Sequence, residues 1–309
     1  MNTHVLVTGG AGFVGSNLVR KLVGQGYKVS VLDNLSRGRV EYIEDLNDVE
    51  IFAADITDKK SCDAAFKSVD KVVHLAAFGS VVESVEDPYT NFNMNVLGTF
   101  NVLNLCVENS IEKLVFSSTG GALIGDVSPP VDERSLPKPI SPYGASKLCC
   151  EAYCHAFSKS FDLNTVCLRF ANVYGPNSYH KTGVINRFFN AIKDEQPFIL
   201  YGDGTSSRDY IHVGDLTDGI ALASENDKVV DDVIHIAGGR EVSLNELAET
   251  IKMVACKPMH PIEYRDKRKG EVDRNFADYT YAKSVLGFEP KYNLKKGLQE
   301  LWDTYDWTI

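Results

Sequence analysis

The chain lacks several features, and each absence narrows what it can be. No apolar stretch among the 309 residues approaches the roughly 18 needed to span a bilayer. The short run HVLVTG near the start breaks at glycine, and no small-residue cleavage pattern follows it, so a secretory leader is not expected. Basic residues are too few for a generic nucleic-acid binder, because the net formal charge is −10 at pH 7 and the pI is about 5.2. The seven cysteines have no regular spacing, which argues for reduced thiols rather than a disulfide framework. There is no internal repeat, low-complexity tract or coiled-coil heptad. The expectation is a soluble, cytoplasmic protein that binds neither membrane nor nucleic acid and is large enough to bury a substantial core.

What is present is an alternation of short β-rich runs with helical patterns. HVLVTG (4–9), KVSVLD (28–33), VEIFAAD (49–55), KVVHLAA (71–77), EKLVFSS (112–118) and NTVCLRF (164–170) read as strands. Residues 13–25 read as a helix, with Phe13, Leu18, Val19, Leu22 and Val23 on its apolar face. Nearly continuous apolar strands separated by helices predict a parallel sheet covered on both faces, hence an α/β, Rossmann-type doubly wound fold. A dinucleotide-binding domain is expected over 1–171, with a returning segment near 208–240 in which DVIHIAG (232–238) adds a strand. Residues 172–309 mainly form a smaller substrate-binding lobe.

The segment TGGAGFVGS (8–16) follows the first strand and opens the first helix. Gly9, Gly12 and Gly15 allow a tight turn and close approach of a pyrophosphate, which the helix N-terminus attracts. Asp33, at the end of the second strand, stands at the distance suited to the adenosine ribose hydroxyls and repels a 2′-phosphate, which favours NAD over NADP. Arg37 is the one residue nearby that could accept that phosphate. In SPYGASK (141–147), Ser141 and Pro142 start a helix on which Tyr143 and Lys147 share a face. Taken alone, such a pair is more often a packed tyrosine beside a solvated lysine. Cys149, Cys150, Cys154 and His155 lie on the same helix, but adjacent cysteines diverge there, so buried thiols are expected and not a metal site.

TGGAGFVGS, DNLSRG, HLAA, NVLGTFNVL, VFSSTGGA, YGASK, LRFANVYGP and RDYIHVGDL occur in this order. Together they resemble the extended short-chain dehydrogenase/reductases, in particular the nucleotide-sugar epimerase/dehydratase group, from about residue 3 to about residue 300. The resemblance implies a catalytic set of Thr119, Tyr143 and Lys147, with Ser118 beside it. A nearby ammonium and an oxidised nicotinamide would lower the phenol pKa and make Tyr143 a general base. It implies further cofactor contacts from Phe13, Val14, Asn34, Ser36, Asp55, Ile56, Leu75, Ala76, Ala77 and Asn95. Asn172, Arg208 and Arg268 would meet the diphosphate of a UDP-sugar, Tyr201 its base and Glu271 its ribose.

The activity so implied is NAD-dependent 4-epimerisation of a UDP-hexose through a 4-keto sugar. A 4,6-dehydratase of this group usually carries Asp-Glu after the catalytic threonine, where this chain has Gly120 and Gly121. The same scaffold could also serve a decarboxylase, a reductase consuming NADPH or a non-catalytic NAD-binding sensor. Two departures stand out. Ile124-Gly125 replaces the usual Tyr-Gly, and Asn275 occupies the position that gates sugar size, leaving room for N-acetylated sugars. The resemblance also implies a homodimer formed by the helices near 95–108 and 142–161.

Overall fold

The computed structural model describes residues 3–267 and 273–307. Its strands are β1 (His4–Thr8), β2 (Lys28–Asp33), β3 (Glu50–Ala53), β4 (Lys71–His74), β5 (Lys113–Thr119), β6 (Asn164–Phe170), β7 (Asn172–Tyr174), β8 (Phe198–Tyr201), β9 (Ser207–His212), β10 (Asp232–Ile236), β11 (Glu241–Ser243), β12 (Ile262–Arg265) and β13 (Arg274–Asn275). Among the described residues, seven of them form a parallel sheet in the order β10-β6-β5-β4-β1-β2-β3. The chain runs from β1 outward to β3, then returns to the other side of β1 as β4. The resulting switch point lies between β1 and β4, where open α/β sheets bind ligands beyond the carboxyl ends of their strands.

Strand alternation sorts the core into two layers. Val5 and Val7 of β1 face one side and pack with Leu18, Leu22, Val31, Leu216 and Ile220. Leu6 faces the other and packs with Leu32, Phe66, Leu103, Leu114 and Phe116. Each fully buried side chain of this kind contributes about 1.5–3 kcal/mol.

A second, smaller sheet contains β11, β9, β13 and β7, and β8 pairs with β12 beside it. Its core includes Phe188, Phe189, Phe198, Leu247, Ile251 and Leu298. The segment that returns to the large sheet is narrower than 208–240. It comprises helix Val213–Glu225 and β10, which pairs with β6, whereas β9 and β11 on either side belong to the small sheet. No described helix is long and apolar enough to cross a membrane.

Candidate active site

The site begins at the carboxyl end of β1. Gly9 turns the chain with φ +69°, a conformation that side chains other than glycine rarely adopt. A Cβ at Gly15 would collide with the Gly9 carbonyl oxygen, so the loop and the first helical turn touch backbone to backbone. Helix Phe13–Gly24 starts at Gly12 with no side-chain cap and no acid in its first turn. Its free N–H groups and dipole therefore face the loop uncompensated, which suits a diphosphate. Phe13 is buried and Val14 half-buried behind this loop.

Asp33 ends β2, 8% exposed, and accepts hydrogen bonds from the Ala11 N–H at 3.1 Å and the Leu35 N–H at 2.9 Å. Burial pushes its carboxyl above the usual range, and these two bonds oppose the shift. Asn34 donates to Asp55 at 2.7 Å, and its own oxygen accepts from Ser36. Arg37, named above as a possible 2′-phosphate ligand, meets Glu83 at 2.5 Å and lies 5.1 Å above the Phe78 ring. Ile56 is buried against Gly98.

Past β4, the Leu75 N–H donates to the Thr8 carbonyl and the Ala76 N–H to the Thr8 hydroxyl, which holds Leu75, Ala76 and Ala77 at the switch point. That hydroxyl also meets His74 Nδ1 at 2.6 Å, and His74 Nε2 meets Thr99 at 3.0 Å. Burial and the Lys147 charge lower His74 to about 3, so it is a neutral brace. Asn95 lies in the π-helical segment Asn93–Leu97 and is 2% exposed. Its side chain is engaged with the Phe78 backbone and Ser146, tying the strand-end loop to the Tyr143 helix.

Helix Pro142–Phe161 is capped by Ser141, whose hydroxyl accepts from the Gly144 N–H at 3.1 Å. Tyr143 lies beside Thr119 at the end of β5, near enough for that side chain to favour the phenolate. The Ser118 hydroxyl beside it is engaged elsewhere, donating to Glu151 at 2.5 Å. Burial pushes the Tyr143 phenol up to about 12, and the neighbouring Thr119 opposes the shift. The Lys147 ammonium donates to the Ser117 carbonyl at 2.7 Å and sits 4.7 Å above Phe116, and burial lowers it to about 8. Of the neighbouring thiols, Cys150 and Cys154 are buried in the core and Cys149 is half-buried, while His155 pairs with Asp231.

Beyond the end of β6, a cavity of about 280 Å³ is lined by Asn172, Tyr201 and Arg208. Lys181, Arg187 and Tyr210 also line it, and the sequence expectations missed all three. Tyr210 was accessible to a period-two argument, because it follows Arg208 by two residues in β9 and shares its face. Arg187, on an amphipathic helix, reads locally as a solvated charge. Asn172 donates to the Asp209 carbonyl at 3.0 Å. Asn275 pairs in register with Arg208 and is close enough to Gly121 that a Cβ there would lie 3.2 Å from its Oδ1. Arg268 and Glu271 lie outside the described residues.

A glycine-lined helix N-terminus, an acid at the second strand end, a Thr–Tyr–Lys group and a cation-lined cavity define the short-chain dehydrogenase/reductase class, built here to take a nucleotide-linked substrate. Residues 5–237 match the NAD dependent epimerase/dehydratase family, and the chain belongs to it. A putative UDP-glucose 4-epimerase of Methanocaldococcus jannaschii is 39% identical, over 96% of this chain and 96% of that protein. The UDP-glucose 4-epimerase of Thermotoga maritima, solved with UDP-glucose, superimposes with TM-score 0.92 at 37% identity, covering 98% of both chains. The UDP-N-acetylglucosamine 4-epimerase of Methanobrevibacter ruminantium M1, solved with UDP-N-acetylmuramic acid, gives TM-score 0.92 at 33% identity, covering 98% of both.

Proposed function

We propose that the protein interconverts UDP-hexoses that differ in configuration at carbon 4, with NAD as resident cofactor. The observation that carries this is the grouping of Thr119, Tyr143 and Lys147 at the end of β5, in a chain that also carries the glycine loop and a cavity lined by Asn172, Tyr201 and Arg208. The uncapped helix N-terminus fits a dinucleotide diphosphate. The Gly9–Gly15 loop would hold it, Asp33 the adenosine ribose, and Leu75 to Ala77 the nicotinamide end. When bound, NAD supplies the hydride acceptor and donor for carbon 4.

Tyr143 takes the proton of the 4-hydroxyl, with Thr119 bonded to the same oxygen, and returns it after the keto sugar has turned over. Lys147 adds positive charge beneath the pair, offsetting the cost of forming the phenolate. Arg208, with Lys181 and Arg187, anchors the diphosphate, while Asn275 and Gly121 leave the sugar loosely contacted. Anchoring one end and freeing the other is what a sugar that must present both faces requires. A dehydratase needs acid–base groups at carbons 5 and 6, and Gly120 and Gly121 supply none where that group carries them.

A homodimer is part of this reading. Leu97, Phe100, Tyr153 and Phe161 are 37–54% exposed on the two helical segments expected to pair. Phe100 already stacks edge-on against Tyr153, so the face is continuous. The seven cysteines are free thiols, which supports a reducing, cytoplasmic setting. The test is proton NMR of the purified protein with UDP-galactose, UDP-N-acetylgalactosamine and UDP-galacturonic acid in separate tubes, with and without added NAD. Conversion to the gluco epimer is expected in at least one. A 4-keto-6-deoxy or pentose product, or no turnover despite NAD binding, would overturn the reading.

A further inference from the structure

The helix that carries Tyr143 is fastened to the strand that carries Thr119 at three successive residues. Lys147 Nζ bonds the Ser117 carbonyl, Glu151 accepts from the Ser118 hydroxyl, and Tyr143 lies beside Thr119. Tyr143, Lys147 and Glu151 are spaced four apart and so share one helix face. The Glu151 carboxylate is gripped from a third element. Arg169 of β6 donates to it through Nε at 3.0 Å and Nη2 at 2.8 Å, and both side chains are about 5–6% exposed. Arg169 is also the register partner of Ser118 in the sheet. The ion pair therefore closes a loop of three elements around the strand end.

Fold stability alone does not account for such a pair. Two buried charges are expensive to desolvate, and well-packed apolar residues of similar volume are commonly as stable or more so. What a bidentate guanidinium–carboxylate contact adds is fixed geometry. Lys147, Cys150, Cys154, Cys167, His74 and Arg169 interact with this helix face, and of the basic ones Arg169 meets the carboxylate.

We propose that Glu151 and Arg169 are positioning residues for the reaction proposed above: their buried ion pair, through Ser118, sets the spacing between Thr119 and Tyr143. Neither touches the substrate cavity, so substrate affinity is not their concern. A displacement of about 1 Å at reacting groups can cost on the order of 100-fold in rate. The inference rests on the epimerase reading for its kinetic consequence but not for its structural one.

The experiment replaces the pair by an apolar one, Glu151→Leu with Arg169→Met, and compares it with Glu151→Gln, which keeps the side-chain volume. Three readouts are taken: thermal midpoint, steady-state kinetics on the UDP-sugar that wild type converts, and the crystallographic Thr119–Tyr143 separation. The double variant is expected to stay folded with a midpoint near or above wild type. Its kcat should fall roughly 10–100-fold with KM within about threefold, and the Thr119–Tyr143 separation should change. Should the double variant not fold, Glu151→Gln is expected to show the same split more weakly, at about 3–10-fold in kcat. A folded variant with kcat within threefold of wild type and the Thr119–Tyr143 separation unchanged would overturn the proposal. If wild type converts no UDP-sugar, the functional reading fails, and the Thr119–Tyr143 separation still decides the positioning role.

Discussion

Asp209 joins the two halves of the site. It is 1% exposed and follows Arg208 in β9. Its carboxylate accepts from the Gly238 N–H at 2.8 Å, the Gly239 N–H at 3.0 Å and the Ala277 N–H at 3.3 Å. Its carbonyl accepts from Asn172, and Ala277 lies two residues past Asn275. Removing the carboxylate should loosen Arg208, Asn172 and Asn275 together. Three hydrogen bonds to a charged acceptor are worth roughly 1.5–3 kcal/mol each. Burial of the charge raises the Asp209 pKa from 3.8 to about 6 even with these three bonds opposing the shift.

With three buried N–H groups left unpaired, Asp209→Ala should cost at least about 2 kcal/mol at pH 7.5. Asp209→Asn, which keeps one acceptor oxygen, should lie between Ala and wild type. The pH dependence has a definite sign. A carboxyl whose folded pKa is raised gives stability that is full below about 4 and is lost as pH rises through about 6. The gap between wild type and Asp209→Ala should therefore widen as pH falls from 7 toward 5. Urea unfolding followed by circular dichroism measures the gap, and calorimetric titration with UDP measures the site, where affinity should drop while NAD affinity stays within about threefold. A variant within 1 kcal/mol of wild type, or a gap that narrows on acidification, would refute this role for Asp209.

Tyr143→Phe should lower kcat by at least about 100-fold with little change in NAD affinity, measured by turnover and by fluorescence titration, because only the proton acceptor is lost. The rate should fall on the alkaline side with a midpoint near 8, where Lys147 gives up its proton, and a kcat–pH profile flat to pH 10 would exclude that role. Gly15→Ala should abolish NAD binding in an equilibrium assay while leaving UDP binding in place, since the new methyl group enters the Gly9 carbonyl. Phe100→Glu with Tyr153→Glu should shift the protein from dimer to monomer in analytical ultracentrifugation, and an unchanged sedimentation coefficient would remove the exposed helix face as the interface.

Much of the fold was legible because its signals are local. Apolar runs such as VLV and VVH mark strands, the spacing in residues 13–24 marks a helix, and Ser141-Pro142 marks a helix start. The glycine loop was legible for the same reason, since a tight turn constrains residues a few positions apart. By itself the sequence determined the parallel sheet, the dinucleotide loop and the shared helix face of Tyr143 and Lys147. Only the tertiary structure decided that Lys147 reaches Ser117, that Arg37 meets Glu83, that Asn275 stands against Gly121 and that Lys181 and Arg187 line the cavity. It also decided how far burial raises the Tyr143 phenol. These depend on which distant elements share a wall and how much water is left between them, and no periodicity along the chain encodes either.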